Sequence, residues 1–235
     1  MKTKIFIICT LVASIMGSCS TSAQTNKGKY NVENFTKIDA SSGIDIYYTQ
    51  GNKHYVEVDA NEDILKDISV TVKNGLLEIK RIKNNMFKKG SPIKAYITSK
   101  DLQAIDLSGG VDFYAKEIKT KNSFKIAASG GADIEITKIK ADESSISISG
   151  GADCDISELD VQTLNITTSG GSDAEINVRD ADRINASASG GSDLTLSGKT
   201  KDINVKASGG ADAYISNLSY QTIDSKKSGG GSINK

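Results

Sequence analysis

Carboxylates recur along the C-terminal half of this chain at a spacing that would gather them in space. Asp112, Asp133, Asp153, Asp173, Asp193 and Asp212 each stand two residues after a Gly-Gly pair, and Glu135, Asp155 and Glu175 follow two residues later. If successive copies stack, neighbouring backbones lie about 4.8 Å apart. Asp133/Glu135, Asp153/Asp155 and Asp173/Glu175 then put six carboxylates on three adjacent coils. Two unit charges at that separation repel by about 1 kcal/mol in water and by about 3–4 kcal/mol at an effective dielectric of 20. Two chemistries would offset this. Each aspartate could accept N–H groups of its own Ser-Gly-Gly corner, an Asx-type role that accounts for the strict repetition. Alternatively a divalent cation, most naturally Ca²⁺, could bridge carboxylates of neighbouring coils. No other cofactor is suggested by the residues.

Other reactive constellations are absent from the pattern. Serines recur at Ser108, Ser129, Ser149, Ser169, Ser189, Ser208 and Ser228, but His54 is the only histidine and lies outside the repeat, so no Ser-His-Asp arrangement is expected. Cys154 occupies an apolar position of the repeat and reads as a small buried hydrophobe. No Cys/His set has zinc spacing. Paired carboxylates such as Asp153/Asp155 could serve glycoside chemistry, which makes a carbohydrate-active enzyme the rival class. Catalytic residues differ from their surroundings, however, and these are the repeat itself. Arg81, Arg179 and Arg183 are the only arginines, a poor supply for anionic sugars, and Tyr114, Tyr214 and Tyr220 are far apart in the chain. A non-catalytic protein is therefore expected. Lysine plus arginine equals aspartate plus glutamate at 29 each, which leaves no footprint for nucleic acid.

What must position these residues is a repeat. Ser-Gly-Gly returns at intervals of 21, 20, 20, 20, 19 and 20 residues. Within a unit the apolar residues alternate, as in Ala132/Ile134/Ile136 after the glycines and Phe124/Ile126/Ala128 before them. Period 2 with one apolar face is a half-buried strand. Two strands and two turns per unit make one coil of an all-β solenoid, a parallel β-helix whose coils bury their apolar rows only by stacking. The corner glycines Gly109, Gly110, Gly130, Gly131, Gly150, Gly151, Gly170, Gly171, Gly190, Gly191, Gly209 and Gly210 supply φ > 0 and leave room where corners approach. Leucine-rich repeats have a similar period but require a Leu/Asn frame that is missing, and calcium-binding nonapeptide rolls have half the period. Residues 108–235 form the repeats, and Ser225 and Lys227 replace apolar residues in the last coil, as a solenoid end requires.

Residues 30–107 read as a less regular β region of the same domain, with strands near Phe35–Asp39, Ile44–Thr49, Tyr55–Asp59, Ile68–Lys73, Leu76–Arg81, Ile93–Thr98 and Ala104–Leu107. Asn74-Gly75 is a hairpin signal, Asn61 a candidate cap for one helical turn over 62–67, and 84–91 an exposed loop. At the start, Lys2 and Lys4 precede the apolar run from Ile5 to Met16, so residues 1–23 form an export signal. Met16-Gly17-Ser18-Cys19 is similar to a lipobox, which would make Cys19 a lipidated N-terminus. Cleavage after Ala23 would instead release a soluble periplasmic or secreted protein. Either way the protein is exported to the cell envelope. On the first reading it is an outer-membrane lipoprotein, in the periplasmic or the surface leaflet, and touches the membrane only through its lipid anchor.

Several of these residues carry a family likeness. Phe35-x-x-Ile38, Gly43-Ile44-Asp45-Ile46, Val70-x-Val72-x-Asn74-Gly75-x-Leu77-x-Ile79 and the run Leu102-x-x-Ile105-x-Leu107-Ser108-Gly109-Gly110 lead into the serial coils. Together they resemble the auto-transporter adhesin, head GIN domain family of the Bacteroidetes, over residues 33–230. The resemblance implies a right-handed parallel β-helix with an N-terminal β region, and no catalytic residues to carry over. The expected function is an adhesin-like or ligand-binding envelope module with a glycan or an envelope protein as partner. A structural or sensory accessory without its own ligand is the alternative.

Overall fold

The computed structural model describes residues 26–82 and 92–235; Cys19, the Ala23 cleavage point and the whole of the loop expected at 84–91 lie outside the described residues. Alternation builds nearly everything in it. The N-terminal part comprises β1 (Asn26–Tyr30), β2 (Lys37–Ser41), β3 (Ile44–Gln50), β4 (Tyr55–Ala60), one helical turn α1 (Glu62–Leu65), β5 (Ile68–Lys73), β6 (Leu76–Arg81) and β7 (Ile93–Ser99). The coils continue with β8 (Ala104–Ser108), β9 (Asp112–Lys119), β10 (Ser123–Ser129), β11 (Asp133–Lys140), β12 (Glu143–Gly150), β13 (Asp153–Asp160) and β14 (Thr163–Gly170). Next come β15 (Asp173–Gly190) and β16 (Asp193–Gly209), which run unbroken around their second corner. The chain closes with β17 (Asp212–Tyr214), β18 (Leu218–Ser219), β19 (Thr222–Gly229) and β20 (Ser232–Asn234).

Two parallel ladders result. After each glycine corner the order is β7–β3–β9–β11–β13–β15–β16–β17–β20, and before it β6–β2–β8–β10–β12–β14–β15–β16–β19. Inward residues of both ladders meet in a single continuous core from Phe35 to Ile233. Ile136, Ile156 and Ile176 stack coil upon coil, and burial of each such side chain contributes ~1.5–3 kcal/mol. This is the thin spine that the period implied. At the far end, Ser225 and Lys227 sit in register with buried Val205 and Ala207 and are exposed, which stops apolar stacking there.

The N-terminal region is the less regular part of the fold, as expected for 30–107, and it is continuous with the coils. Its strands β6, β2, β3, β7 and β8 are members of the same two parallel ladders, so the core does not change character at residue 107. Only the top is antiparallel: β1 pairs β4, β4 pairs β7, and β5 pairs β6 through the Asn74-Gly75 hairpin, both residues at positive φ. β1 lies ahead of the region expected from residue 30, with Gly28 and Lys29 too polar to signal a strand. Asn61 holds α1 through its backbone carbonyl, which accepts from Ile64 and Leu65 N–H at 2.9 Å. Ser42 and Gly43 form a corner, with φ of 77° and 67°, stacked on the Gly109 corner.

In the regular coils the demand for left-handed backbone falls on one glycine of each pair. Gly130, Gly150, Gly170, Gly190 and Gly209 have φ between 72° and 81°, whereas Gly131, Gly151, Gly171, Gly191 and Gly210 do not enter that region. The second glycine instead donates its N–H to the corner above, as from Gly171 to the Gly150 carbonyl at 2.7 Å.

Candidate functional site

Stacking gathers the repeated carboxylates on the outer face of the first ladder. Asp112, Asp133, Asp153, Asp173, Asp193 and Asp212 pair in register as one column, and beside it run Tyr114, Glu135, Asp155, Glu175, Thr195 and Tyr214. Between the two columns lies a trough of about 560 Å³ with Tyr114 at one end and Tyr214 at the other. Five coil steps separate these rings, about 24 Å at ~4.8 Å per step.

The trough is electrostatically unbalanced. Among the described residues, Asp133, Glu135, Asp153, Asp155, Asp173 and Glu175 form no ion pair. Burial, and then the charges of Asp112 and Asp153, hold the Asp133 carboxyl above its ordinary value. Asp193 is raised likewise by burial and by Asp173 and Asp212, and Asp112 by burial and Asp45. Local hydrogen bonding offsets part of the repulsion, and it runs between coils: Asp153 Oδ1 accepts the backbone N–H of Asp173 at 3.2 Å. Asp212 Oδ1 accepts from Ser232 Oγ at 2.5 Å in the same direction. The six carboxylates stand one pair to a coil, and no group of three or more His, Cys, Asp or Glu among the described residues is placed to hold a metal ion.

The opposite side of each coil obeys a different rule. At the second corner the signs alternate down one column, where Glu117, Lys138 and Glu158 lie in register, although Lys119 and Lys140 beside it share a sign. Ion pairs join neighbouring coils there, Lys138–Glu158 at 2.7 Å, Lys140–Asp160 at 3.5 Å and Lys201–Asp182 at 2.6 Å, and Arg179 lies within 4 Å of both Glu158 and Asp160. The same backbone therefore carries a self-neutralising surface and a single-sign one.

Above the trough the tyrosines form a ladder that their sequence separation conceals. Tyr47 stacks on Tyr96 with ring centroids 5.4 Å apart and on Tyr114 at 5.2 Å. Lys27 lies over Tyr96 and Lys94 over Tyr47, each 5.8 Å from the centroid. Register puts Lys94-Ala95-Tyr96, Asp45-Ile46-Tyr47 and Asp112-Phe113-Tyr114 at one position of the unit, and Asp212-Ala213-Tyr214 takes the same position further down the column. Tyr220, by contrast, packs against the core.

The remaining candidates have structural partners. Ser149 and Ser189 hydroxyls donate to the Ala128 and Thr168 carbonyls of the coil above, each at 3.4 Å. His54 Nδ1 accepts the Phe35 N–H at 3.4 Å, its ring edge-on to Phe35, and burial with Lys100 nearby lowers its pKa. Cys154 is buried, and burial followed by the charges of Asp155 and Asp153 pushes its thiol up to about 12, so it is inert.

No curated protein matches the chain. Among solved structures, a putative adhesin from Bacteroides fragilis NCTC 9343 superposes with a TM-score of 0.80 at 23% identity, over 91% of this chain and 97% of that one. A putative adhesin from Parabacteroides merdae ATCC 43184 gives 0.67 at 16%, over 90% and 95%. A protein described as a putative lipid binding protein, from Parabacteroides distasonis ATCC 8503, gives 0.62 at 17%, over 90% and 96%. At such identities the likeness is one of fold. Among the described residues no helix is long and apolar enough to cross a membrane. The family profile matches residues 34–158 and again 144–234, so that nearly the whole described chain is covered, and the protein belongs to the family described as "Putative auto-transporter adhesin, head GIN domain".

Proposed function

We propose that this protein is a non-catalytic, exported envelope module that grips a basic segment of another protein along its acidic trough. The observation that carries the reading is the contrast between the two sides of one coil. At the second corner cross-coil ion pairs neutralise much of the charge; on the trough face the sequence keeps one sign through successive coils, at a cost in stability. A surface that retains repulsion in its free state is suited to a partner that supplies the opposite charge. Tyr114 and Tyr214 close the two ends with ring faces suited to lysine or arginine side chains. A neutral or anionic glycan gains little from such a face. The reading is non-catalytic because the repeated serines and carboxylates carry backbone and cross-coil roles, and the residues that interrupt the carboxylate column, Tyr114, Thr195 and Tyr214, lie at the ends of the trough. Attachment through lipidated Cys19 fits an envelope module, with the solenoid hanging from its N-terminal end.

Surface plasmon resonance against an immobilised lysine-rich peptide tests this at ionic strengths of about 0.05 and 0.5 M, which bracket a Debye length of 10 Å. Binding should fall steeply with salt and weaken at least about tenfold in Asp133→Asn/Asp153→Asn/Asp173→Asn, given ~1 kcal/mol per lost contact between half-exposed charges. Equal affinity of that variant, or preferential binding to an uncharged polysaccharide, would refute the proposal.

A further inference from the structure

A second, oppositely charged site follows from a break in the coil stack. In the first ladder β7 lies one level above β3, yet in the second ladder β8 lies one level below β2. β3 does not turn into the second ladder as the later strands do, because the chain leaves it at Gly51 to form β4. Its second corner is therefore missing, and the connection from Ser99 to Ala104 descends past the gap. The Gln50 side chain stands in for the missing backbone. Its amide nitrogen donates to the Lys100 carbonyl at 3.1 Å and the Lys119 carbonyl at 2.7 Å, while its oxygen accepts the Lys119 N–H at 2.7 Å. An amide cannot fill the volume of a corner, and a notch of about 790 Å³ remains.

A second irregularity falls at the same place. The repeat of 21 residues, in an array that otherwise keeps to 20 or fewer, carries its extra residue here. The offset between coils is 21 across β9 and β11 but 20 across β10 and β12. The corner Thr120–Asn122 is thus one residue longer than Ala141–Asp142 beneath it, and it presents Lys121. Lys100, Lys119, Lys121 and Lys140 all line the notch, on three successive connections.

Its charges are unequally committed. Lys119 pairs with Glu117 at 2.9 Å and Lys140 with Asp160 at 3.5 Å. Asp101 accepts from the Gln103 amide at 2.8 Å, and Asp142 is the one other carboxylate in the lining. Lys100 and Lys121 have no ion pair among the described residues. The field of Lys100 is felt at His54, whose imidazole it disfavours charging after burial has done so. Lys100 and Lys121, with Thr120 and Asn122 beside them, thus line one concavity formed where the repeat is broken. Unlike the trough, this place differs from every other coil.

We propose that the notch binds a phosphoryl group, with Lys100 and Lys121 as its cationic ligands and the 120–122 corner as its polar wall. Phosphate suits the donor set because its oxygens accept from several ammonium and amide groups at once. The notch is wide enough for a phosphate with a substituent, so the group could be soluble or the headgroup of an anionic lipid.

Two probes separate these sources, both used on the full chain. Inorganic pyrophosphate is titrated calorimetrically, and vesicles of phosphatidylglycerol and phosphatidylcholine in equal parts are compared with phosphatidylcholine alone by co-sedimentation. Binding of either probe that weakens at least tenfold in Lys100→Gln/Lys121→Gln supports the site, and the probe that binds identifies the source. The control Lys226→Gln/Lys227→Gln, at the far end of the solenoid, should change affinity by less than twofold. Failure of both probes to bind, or equal losses in the control, would overturn the proposal. The acidic-trough reading uses none of these lysines, so the two succeed or fail separately.

Discussion

Gly170 and Gly131 occupy the two positions of the same corner motif, and the structure assigns them opposite tolerance. Gly170 has φ +81°, and a Cβ there would lie 2.8 Å from the Gly150 carbonyl oxygen, 3.0 Å from Gly150 N and 3.3 Å from Gly150 Cα. All three atoms are backbone of the coil above, so no rotamer change relieves the contact. Left-handed backbone costs an alanine about 1–2 kcal/mol. Clearing the oxygen means opening the coils by several tenths of an ångström, an overpacking penalty of about 1–3 kcal/mol, and it lengthens the 2.7 Å bond from Gly171 N–H to the same oxygen. Gly170→Ala should therefore destabilise by about 4 kcal/mol, which at this chain length lowers the melting temperature by about 10 °C. A Cβ on Gly131 meets nothing within 4 Å and its φ is unstrained. Gly131→Ala should fall within about 0.5 kcal/mol of the parent and could even gain from a stiffer unfolded chain. Thermal unfolding followed by circular dichroism gives the comparison, and hydrogen exchange should place the Gly170→Ala defect in β14 and β15. Equal losses for the two variants would show that stacking contact does not decide where the motif needs glycine.

Two further outcomes follow from charge. Asp133 and Asp193 have raised folded pKa values, so their ionised forms destabilise the fold near neutral pH, and this penalty fades as pH falls toward the ordinary value of 3.8. Melting of Asp133→Asn/Asp193→Asn should accordingly exceed the parent near pH 7 and converge with it below about pH 4; a variant less stable at neutral pH contradicts the single-sign strain. Glu57 has the opposite sign: hydrogen bonds from Lys27 and then Tyr55 lower its pKa below 4.5. Its contribution is present above that value and lost as pH falls through the folded one. Glu57→Gln should lower amide protection in β1 at neutral pH, by about fivefold for ~1 kcal/mol from a pair whose lysine is exposed, with the difference vanishing in acid; unchanged exchange at Lys27–Tyr30 would show that the strand is held by its ladder alone.

How much of this was legible depends on whether the determining neighbours obey the period. Inward rows such as Ile134/Cys154/Ala174 are one unit apart, so counting places them. The spacing of 19 residues before Ser208 told that a residue was missing but not where. The register shift opposite Val178–Ala181 locates it at the second corner, beside Gly198, where an added Cβ would fall 1.9 Å from the Val178 carbonyl oxygen. Tyr47, Tyr96 and Tyr114 escaped notice because β7 is inserted above β3 although it follows it by more than forty residues. Connectivity, not composition, makes them neighbours. The notch was illegible for the same reason: nothing local to Gln50 announces that the chain turns upward after it.

Repetition and recognition pull against each other in a solenoid. Every coil must repeat the inward row for the core to continue, and duplication copies the outward residues along with it. An outward aspartate copied six times accumulates repulsion that no single copy would feel, and mutation offers easy relief, since these positions are exposed. Relief has been taken on the second corner, where Lys138 faces Glu158 and Lys201 faces Asp182. It has not been taken on the trough face, where Asp112 through Asp212 remain aspartate while Thr195 and Tyr214 show that the adjacent column is free to vary. The cross-coil bond from Asp173 N–H to Asp153 Oδ1 accounts for an acceptor at that position but not for its charge, because an asparagine oxygen would accept equally well. What the fold uses at Asp153 is an oxygen; the negative charge is surplus to it, and the proposed basic partner would give that surplus a use.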